Sequence, residues 1–172
     1  MRFPTVVLAM AIMLTLTACT QRANDASYKD TVKNALDQAD LKDLSVSEDR
    51  EHNTITLSGK LHSDESKQRA AQIAQSAAPG RVIANEISLE PLGDEHAARK
   101  IESNIDDAIE DTYKAALISN HLDKEGVKYD SKNGVLTLKG TVKNSELRDQ
   151  AVELAKTVPN VGQVVSHLEV HR

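Results

Sequence analysis

The fold of this chain is decided by the segment Asn133-Gly134-Val135-Leu136-Thr137-Leu138-Lys139-Gly140-Thr141-Val142. A near copy lies upstream and reads His52-Asn53-Thr54-Ile55-Thr56-Leu57-Ser58-Gly59-Lys60-Leu61. Gly140 follows Gly59 at an offset that the neighbouring Thr and Leu residues share (140 − 59 = 81). A strand pattern that recurs at one fixed spacing indicates an internal duplication.

The same offset holds without a gap over the length of a whole domain. The matched positions are mostly small or apolar, which are the residue types that fill a core, so the two copies share a packing unit. The further matched pairs are Asp30 and Asp111, Thr31 and Thr112, Lys33 and Lys114, Ala35 and Ala116, Leu36 and Leu117, Leu41 and Leu122, Val46 and Val127, Asp49 and Asp130, Glu65 and Glu146, Ala70 and Ala151, and Ala74 and Ala155.

Each copy begins with an amphipathic helix that is followed by two strands. In the first copy, Val32, Ala35, Leu36 and Ala39 fall at helical spacing and predict a helix from about Tyr28 to Asp40. The predicted strands follow over residues 44–51 and 54–61. The second strand alternates apolar and polar residues, as a strand with one buried face does.

The turns between these strands and the glycines within them give further local signals. The predicted hairpin turns are His52-Asn53 and Asn133-Gly134, and Gly134 tolerates the positive φ that two-residue hairpin turns require. Gly59 and Gly140 fall on the inward side of their strands. A missing side chain there most often marks a bulge or close helix packing.

A second helix and a last strand complete each copy. The second helix of the first copy is predicted from about Asp64 to Ala78, and Pro79 and Pro159 stop the two equivalent helices. Because a strand-helix-strand connection crosses over in one hand, the second and third strands run parallel, whereas the first two form an antiparallel hairpin. The predicted fold class is α+β, with two tandem α-β-β-α-β units. Each unit is a three-stranded mixed sheet covered on one face by two helices.

This order of elements resembles the BON domain, as does the strand reading aliphatic-Thr-Leu-x-Gly-x-aliphatic. The resemblance covers about Tyr28 to Leu89 and about Ile105 to Val170. The family occurs in periplasmic osmotic-stress proteins and in outer-membrane lipoproteins. An asparagine often found in its last strand is kept as Asn85 but replaced by Ser166, which predicts a buried polar position in both copies.

The N-terminus has the features of a secretory signal. Arg2 precedes an apolar run from Thr5 to Leu16 that is too short to cross about 30 Å of hydrocarbon. The run ends at Leu16-Thr17-Ala18-Cys19, which resembles the bacterial lipoprotein signal, and Cys19 is the single cysteine of the chain. The resemblance implies that Cys19 is lipidated, and Thr20 in place of aspartate implies the periplasmic face of the outer membrane. An ordinary signal peptide with an incidental cysteine is the alternative.

These segments give the predicted organisation of the chain. Residues 1–18 form the signal peptide, 19–27 a polar tether, 28–90 the first BON domain, 91–98 a linker and 99–172 the second BON domain. The linker contains Pro91 and Gly93, so we expect the domains to sit against each other. The first helix of the second domain, predicted from about Ala97 to Asn120, is longer than one domain requires. We expect its early turns to pack on the first domain or on a partner.

Composition excludes several classes of partner. The net charge is −5, and removal of Arg2 with the leader brings it to −5 − 1 = −6, which offers no electrostatic footprint for nucleic acid. Only three tyrosines would remain as aromatic residues, and the chain has no tryptophan, so platforms for stacking bases or sugars are not expected.

Candidate residues for chemistry are few. Asp106, Asp107, Glu110 and Asp111 form two i, i+4 carboxylate pairs, which we interpret as a solvated acidic face with a weak divalent-cation site as the alternative. The sequence contains no Gly-rich phosphate loop after a strand and no G-x-S-x-G motif. We therefore expect neither an enzyme nor a cofactor. Scattered histidines are interpreted as surface residues: His52, His62, His96, His121, His167 and His171.

Three functions remain open at this point. The resemblance implies a lipid-anchored module that supports envelope integrity or the osmotic-stress response through contact with phospholipid or envelope proteins. In lipoprotein relatives, phospholipid contact is associated with the first helix of the second domain, but here Asp106, Asp107, Glu110 and Asp111 would repel anionic headgroups. The alternatives are a cation-binding sensor and a purely structural docking subunit of an envelope assembly.

The intact mass of the purified mature protein tests the expected lipidation. We expect a chain that begins at Cys19 and carries a diacylglycerol thioether and an acylated amine. A mature chain that keeps its leader, or that has the mass of the bare polypeptide, would contradict this expectation.

Overall fold

The computed structural model describes residues 27–90, here called unit one, and residues 95–171, here called unit two. Unit one contains α1 (Lys29–Gln38), β1 (Ser45–Asp49), β2 (Thr54–Leu61), α2 (Asp64–Ala77) and β3 (Val82–Leu89). Unit two contains α3 (Glu95–Ser119), β4 (Lys128–Lys132), β5 (Val135–Val142), α4 (Ser145–Lys156) and β6 (Gln163–Val170). None of the described helices has the length and apolar content that crossing a bilayer requires.

The predicted fold class is confirmed. Each unit has a three-stranded sheet, in the order β1-β2-β3 and β4-β5-β6. The central strand is antiparallel to the first strand and parallel to the third. The order follows from the connections, because a short turn places two strands side by side as a hairpin, whereas a helical crossover allows a parallel neighbour.

The core of each unit lies between one face of its sheet and its two helices. In unit one, Val32 and Leu36 of α1 and Ala70 of α2 are fully buried against Ile55 and Leu57 of β2. Unit two repeats this arrangement with larger residues at some positions. Tyr113 stands where unit one has Val32, and its hydroxyl donates to the backbone oxygen of Ala151 at 3.0 Å. Burial raises the pKa of the Tyr113 phenol, so this donor keeps its proton.

The second helix of each unit begins at equivalent caps. The hydroxyl of Ser63 accepts a hydrogen bond from the backbone N–H of Ser66 at 3.2 Å, and Oδ1 of Asn144 accepts one from Leu147 at 2.8 Å. These side chains satisfy backbone donors that have no partner within the helix. The duplication therefore preserved the helix start as well as the core.

The hairpin turn is longer in unit one than in unit two. β1 and β2 close at the pair Asp49 and Thr54, so the turn spans residues 50–53 and the predicted two-residue turn His52-Asn53 is wrong. β4 and β5 close at Lys132 and Val135 around Asn133-Gly134, whose φ angles are 50° and 79°. Positive φ at both central residues is the geometry of a type I′ turn.

The register of the first strand shifts by the same amount. Leu57 pairs with Val46, whereas its counterpart Leu138 pairs with Tyr129, which lies at a different offset (129 − 46 = 83). The gap-free equivalence of Val46 with Val127 is therefore wrong for this strand. Side chains alternate with a period of two, so a two-residue shift leaves each one on its original face. For this reason, the apolar pattern of the sequence does not reveal the shift.

Gly59 and Gly140 mark a close approach that differs from both expectations. The ladders to β3 and β6 run through the two glycines without interruption, so neither is a bulge there. A Cβ on Gly140 would lie 2.2 Å from the carbonyl oxygen of Gly126, and one on Gly59 would lie 3.0 Å from that of Asp43. The close contact on the central strand is therefore made by the backbone segment that precedes the first strand, and not by a helix. Both glycines also have positive φ, at 131° and 116°.

The last-strand asparagine of unit one is half-buried, whereas its counterpart in unit two is exposed. Nδ2 of Asn85 donates to the backbone oxygen of Lys67 at 3.2 Å, which ties β3 to α2. Ser166 is exposed, so the expected buried polar position in both copies is wrong for unit two. The serine is shorter than the amide and does not reach the opposite helix in the same way.

We predict that Gly140→Ala destabilises the protein by more than about 3 kcal/mol, because the new methyl group adds a backbone clash to the cost of a positive φ, itself about 1–2 kcal/mol. Urea unfolding of the chain from Thr20 onward measures the loss. Gly80→Ala is the matched control, since Gly80 has φ of 80° with no atom within 4 Å of its added Cβ. Equal losses for the two variants would contradict the close approach.

Candidate functional site

The two units meet through the sheet faces that carry no helices. Ala84 of β3, Val135 of β5 and Val165 of β6 form a small apolar cluster and are 2%, 3% and 2% exposed. Each lies on the parity opposite to the core residues of its own strand. The expectation that the domains sit against each other is therefore met by direct contact between the sheets.

The amide of Gln163 pairs with the free edge of β3. Its Nε2 donates to the backbone oxygen of Ile83 at 2.6 Å, and its Oε1 accepts from the backbone N–H of Asn85 at 3.2 Å. This two-bond pattern copies the contact that a neighbouring strand would make. Because β3 is an edge strand, Gln163 satisfies backbone groups that would otherwise face solvent.

Further polar contacts extend this junction along β3. Nδ2 of Asn133 donates to the backbone oxygen of Glu86 at 2.7 Å, and Nζ of Lys132 lies 3.0 Å from the Glu86 carboxylate. The β4–β5 turn thereby rests on unit one. Together with Gln163, these contacts fix how the second sheet lies on the first.

The early turns of α3 pack on unit one, as its excess length predicted. Oε1 of Glu102 accepts from the backbone N–H of Leu89 at 2.9 Å, and Glu102 also accepts from the hydroxyl of Ser88. Nearby, the buried carboxylate of Glu90 lies 2.9 Å from Nζ of Lys60 and 3.3 Å from Nε of Arg99. The hydrogen bond from Lys60 is the largest influence on the pKa of Glu90 and lowers it despite burial.

The four clustered acidic residues of α3, Asp106, Asp107, Glu110 and Asp111, do not form one solvated face. Asp106 accepts from the hydroxyl of Ser131 and from the backbone N–H groups of Asn133 and Gly134, at 2.9, 2.8 and 3.0 Å. Glu110 accepts from the backbone N–H of Ser131 at 2.8 Å. The solvated-face interpretation is therefore wrong for Asp106 and Glu110, which hold the β4–β5 turn. Only Asp107 and Asp111 are exposed, so the acidic cluster gives little support to a cation sensor.

The outward side of α3 carries an uncharged row of exposed residues. The sequence placed Ile101, Ile105 and Ala108 on one face with buried Ile109 and Leu117, but Ile101 is 58% exposed and Ile105 is 36% exposed. Residues three and four apart share a helix face, so these positions continue into an exposed stripe about 27 Å long at 1.5 Å per residue. The α3 stripe consists of Ile101, Ile105, Ala108, Thr112, Ala115 and Ser119.

Charges beside the α3 stripe balance one another. Successive residues turn by about 100° in an α-helix, which places Lys100, Asp107, Asp111 and Lys114 along one flank of the stripe. All four are exposed. With two charges of each sign, this flank has no net charge, although the sequence alone suggested an acidic helix.

Two histidines that are far apart in the sequence stack at the junction between the units. The rings of His52, in the β1–β2 turn, and His167, in β6, have centroids 4.2 Å apart and planes 14° apart. Nδ1 of His52 lies 2.8 Å from Oδ2 of Asp49, and Nδ1 of His167 lies 4.0 Å from the same oxygen. The side chain of His167 is 8% exposed, so the interpretation as scattered surface histidines is wrong for this pair.

Burial and hydrogen bonding shift the pKa values of this cluster in a consistent way. Burial lowers the pKa of His167, and the neighbouring His52 lowers it further. Burial alone would raise the pKa of Asp49, but hydrogen bonds from the backbone and ring of His52 outweigh it and lower the pKa. The cluster therefore favours neutral His167 beside an ionised Asp49.

We predict that Gln163→Glu loosens the junction, because the variant keeps the shape and the acceptor for Asn85 but sets a second acceptor against the oxygen of Ile83. An unsatisfied buried partner costs about 1–3 kcal/mol, to be measured by urea unfolding together with amide exchange at Asn85. Gln72→Glu, at an exposed position of α2, makes the same charge change as a control. If both variants lose the same stability, the edge pairing does not hold the units together.

Comparison with known proteins adds the family. The BON domain profile matches residues 24–91 and 105–172, which is most of the chain. No curated protein sequence matches significantly. The chain also matches two solved structures of the Chlamydia trachomatis type III secretion system structural protein CdsD, one of them titled as its C-terminal domain. Their identities are 13% and 14% and their TM-scores 0.34 and 0.32, over 84% and 81% of this chain. The chain spans 61% and 62% of those structures. This protein belongs to the BON domain family and carries two tandem copies of the domain.

Proposed function

We propose that this protein is a non-catalytic interaction module, lipid-anchored through Cys19 at the periplasmic face of the outer membrane, and that the α3 stripe contacts phospholipid. Such a module would support envelope integrity or the osmotic-stress response. Its family membership supports an interaction role. The exposed isoleucines of α3 are the observation on which the lipid contact rests.

The composition of the α3 stripe suits the interfacial region of a bilayer. Ile101 and Ile105 lie one helical turn apart and expose 58% and 36% of their surface. Complete burial of an isoleucine contributes about 1.5–3 kcal/mol, so inserting these partly exposed side chains would contribute about 1 kcal/mol each. A helix that lies in the plane of the interface binds through such a row of apolar residues.

The structure weakens the repulsion of anionic headgroups that the acidic residues of α3 would cause. Asp106 and Glu110 are half-buried and accept hydrogen bonds from the β4–β5 turn and from β4, while Lys100 and Lys114 lie beside the two exposed aspartates. We therefore expect binding to depend mainly on the isoleucines and only weakly on the headgroup charge.

The position of the tether would keep the α3 stripe close to the membrane, where even a weak contact with phospholipid is effective. The hydroxyl of Ser27 and the backbone N–H of Tyr28 donate to the carboxylate of Glu48 at 2.8 and 3.3 Å. The guanidinium of buried Arg81 lies 3.6 Å from the same carboxylate. The tether thus meets unit one at a fixed point. From there, residues 19–27 reach about 30 Å when extended, which would keep the module near the bilayer and raise the effective concentration of the contact.

The polar groove between α3 and unit one supports a non-catalytic role. Its charged side chains already contact one another, because Lys60 and Arg99 both lie beside Glu90. The carboxylate of Glu102 accepts hydrogen bonds from the hydroxyl of Ser88 and the backbone N–H of Leu89. Arg99 and Glu102 therefore join α3 to unit one, which supports a structural role for these charges.

We predict that Ile101→Asp combined with Ile105→Asp reduces pelleting with phospholipid vesicles at least fivefold. The assay is co-sedimentation of the chain from Thr20 onward, which lacks acyl chains, with vesicles of neutral and of anionic lipid at physiological salt. Ile118→Asp is the matched control, since Ile118 is 51% exposed on the same helix but lies off the stripe.

The control separates three results. Loss of pelleting in the double variant alone supports the proposal. Equal loss in Ile118→Asp means that added charge, not the stripe, is responsible. If the unmodified chain does not pellet with either vesicle, lipid contact is wrong, and a pull-down from membranes with the same variants would test docking to an envelope protein instead.

A further inference from the structure

We propose that Asp49, His52 and His167 bind one divalent cation of the zinc class, and that this ion links the two BON units. The inference is independent of the proposed lipid contact. Two of the ligands come from the β1–β2 hairpin of unit one, and the third comes from β6 of unit two. A bound ion would therefore bridge the junction between the sheets.

The ligand atoms are close to the positions that such an ion requires. The candidate ligand atoms of the three residues all lie within 4.8 Å of one another. Bonds of about 2.1 Å to a tetrahedral ion place ligand atoms about 3.4 Å apart. The 2.8 Å contact from Asp49 to His52 and the 4.0 Å contact to His167 each differ from that spacing by about 0.6 Å, in opposite directions. The two rings are stacked with planes 14° apart, so binding requires them to tilt apart until both in-plane lone pairs and the carboxylate meet at one ion.

A hydrogen-bond chain presets the tautomer of His167. The hydroxyl of Thr54 donates its proton to the backbone oxygen of His52 at 3.0 Å, because a carbonyl can only accept. Oγ1 of Thr54 must then accept from Nε2 of His167, which lies 2.8 Å away. The Nε2 atom carries the proton, so the neutral ring directs its lone pair from Nδ1 toward Asp49. Histidine ligands in metal sites are commonly oriented by such a partner on the second nitrogen.

The donor set selects the class of ion. Two imidazoles and one carboxylate suit zinc and related transition metals, whereas calcium and magnesium prefer oxygen ligands. The cluster opens into a shallow groove whose rim includes Lys139, Thr141 and Glu169. Water can enter there and take a fourth ligand position, as in zinc sites with three protein ligands.

The equivalent place in the duplicated fold cannot bind the same ion. At the shared offset, His52 corresponds to Asn133 and His167 to Glu86 (133 − 52 = 81 and 167 − 86 = 81). There Asn133 donates to the backbone of Glu86, and Lys132 pairs with its carboxylate. The two histidines are therefore specific to one side of the junction, where they replace an amide and a paired acid.

Zinc titration of the metal-free, tag-free chain from Thr20 onward tests the proposal. This chain keeps every described helix and strand. By calorimetry we expect one ion per chain, and by thermal unfolding a melting temperature that rises with zinc, because binding to the folded state alone stabilises it by mass action. Cobalt in place of zinc should give the visible absorption of a four-coordinate site. Magnesium should give neither effect.

Single variants connect the binding to these residues. We expect His52→Ala to weaken zinc binding more than tenfold, and His121→Ala, at an exposed histidine outside the cluster, to leave it unchanged. Thr54 is a positioning residue, and Thr54→Val keeps its shape but removes the acceptor for Nε2 of His167. We therefore expect this variant to bind zinc about tenfold more weakly, or worse. Unchanged affinity in His52→Ala would overturn the proposal, as would the absence of both zinc binding and a thermal shift in the unmodified chain.

Discussion

Each unit covers only one face of its sheet with helices, and this constraint shapes the rest of the molecule. The tandem arrangement places the two bare faces against each other, so that apolar residues on both are removed from water. Ala84, Val135 and Val165 close the centre of that contact. The polar residues around them then decide the register, since a flat apolar contact of this size would not fix it alone.

The two copies differ both at the junction and in their cores. Val82 of unit one, which is exposed, corresponds to Gln163 of unit two, whose amide pairs with β3. In the cores, Val32 corresponds to Tyr113, whereas the exposed helix caps Ser63 and Asn144 make equivalent hydrogen bonds. The sheet faces away from the helices thus carry the residues that join the two units.

Local features could be read from the sequence because their causes are local. Alternation along β2 and β5, helical spacing in α1 and the Asn133-Gly134 turn are set by neighbours in the chain, and they sufficed for the order and direction of the elements. The docking could not be read in the same way. Outer-face residues such as Gln163 and His167 alternate with core residues, so they look like residues that face solvent.

The histidine pair and the α3 stripe also depend on contacts between residues that are distant in the sequence. His52 and His167 are separated by most of the domain pair, and no spacing rule relates them. On α3, Ile105 and Ile109 are separated by one turn, yet the first is exposed and the second is buried. A periodicity argument groups them together, because a helix face is broad and its edge is set by how the helix packs on the sheet and second helix of its own unit. The excess length of α3, by contrast, was a usable signal.

The pairing of Gln163 with β3 bears on how the two halves behave apart. Cut from its neighbour, the first unit would present a bare row of backbone donors and acceptors at Ile83 and Asn85, and any extended peptide could add to that row. A second copy of the same fragment is the nearest such peptide, so fragments should associate and exchange strands. Studies of single domains from this chain would then report on a self-made dimer, whereas the intact tandem keeps that edge closed from within.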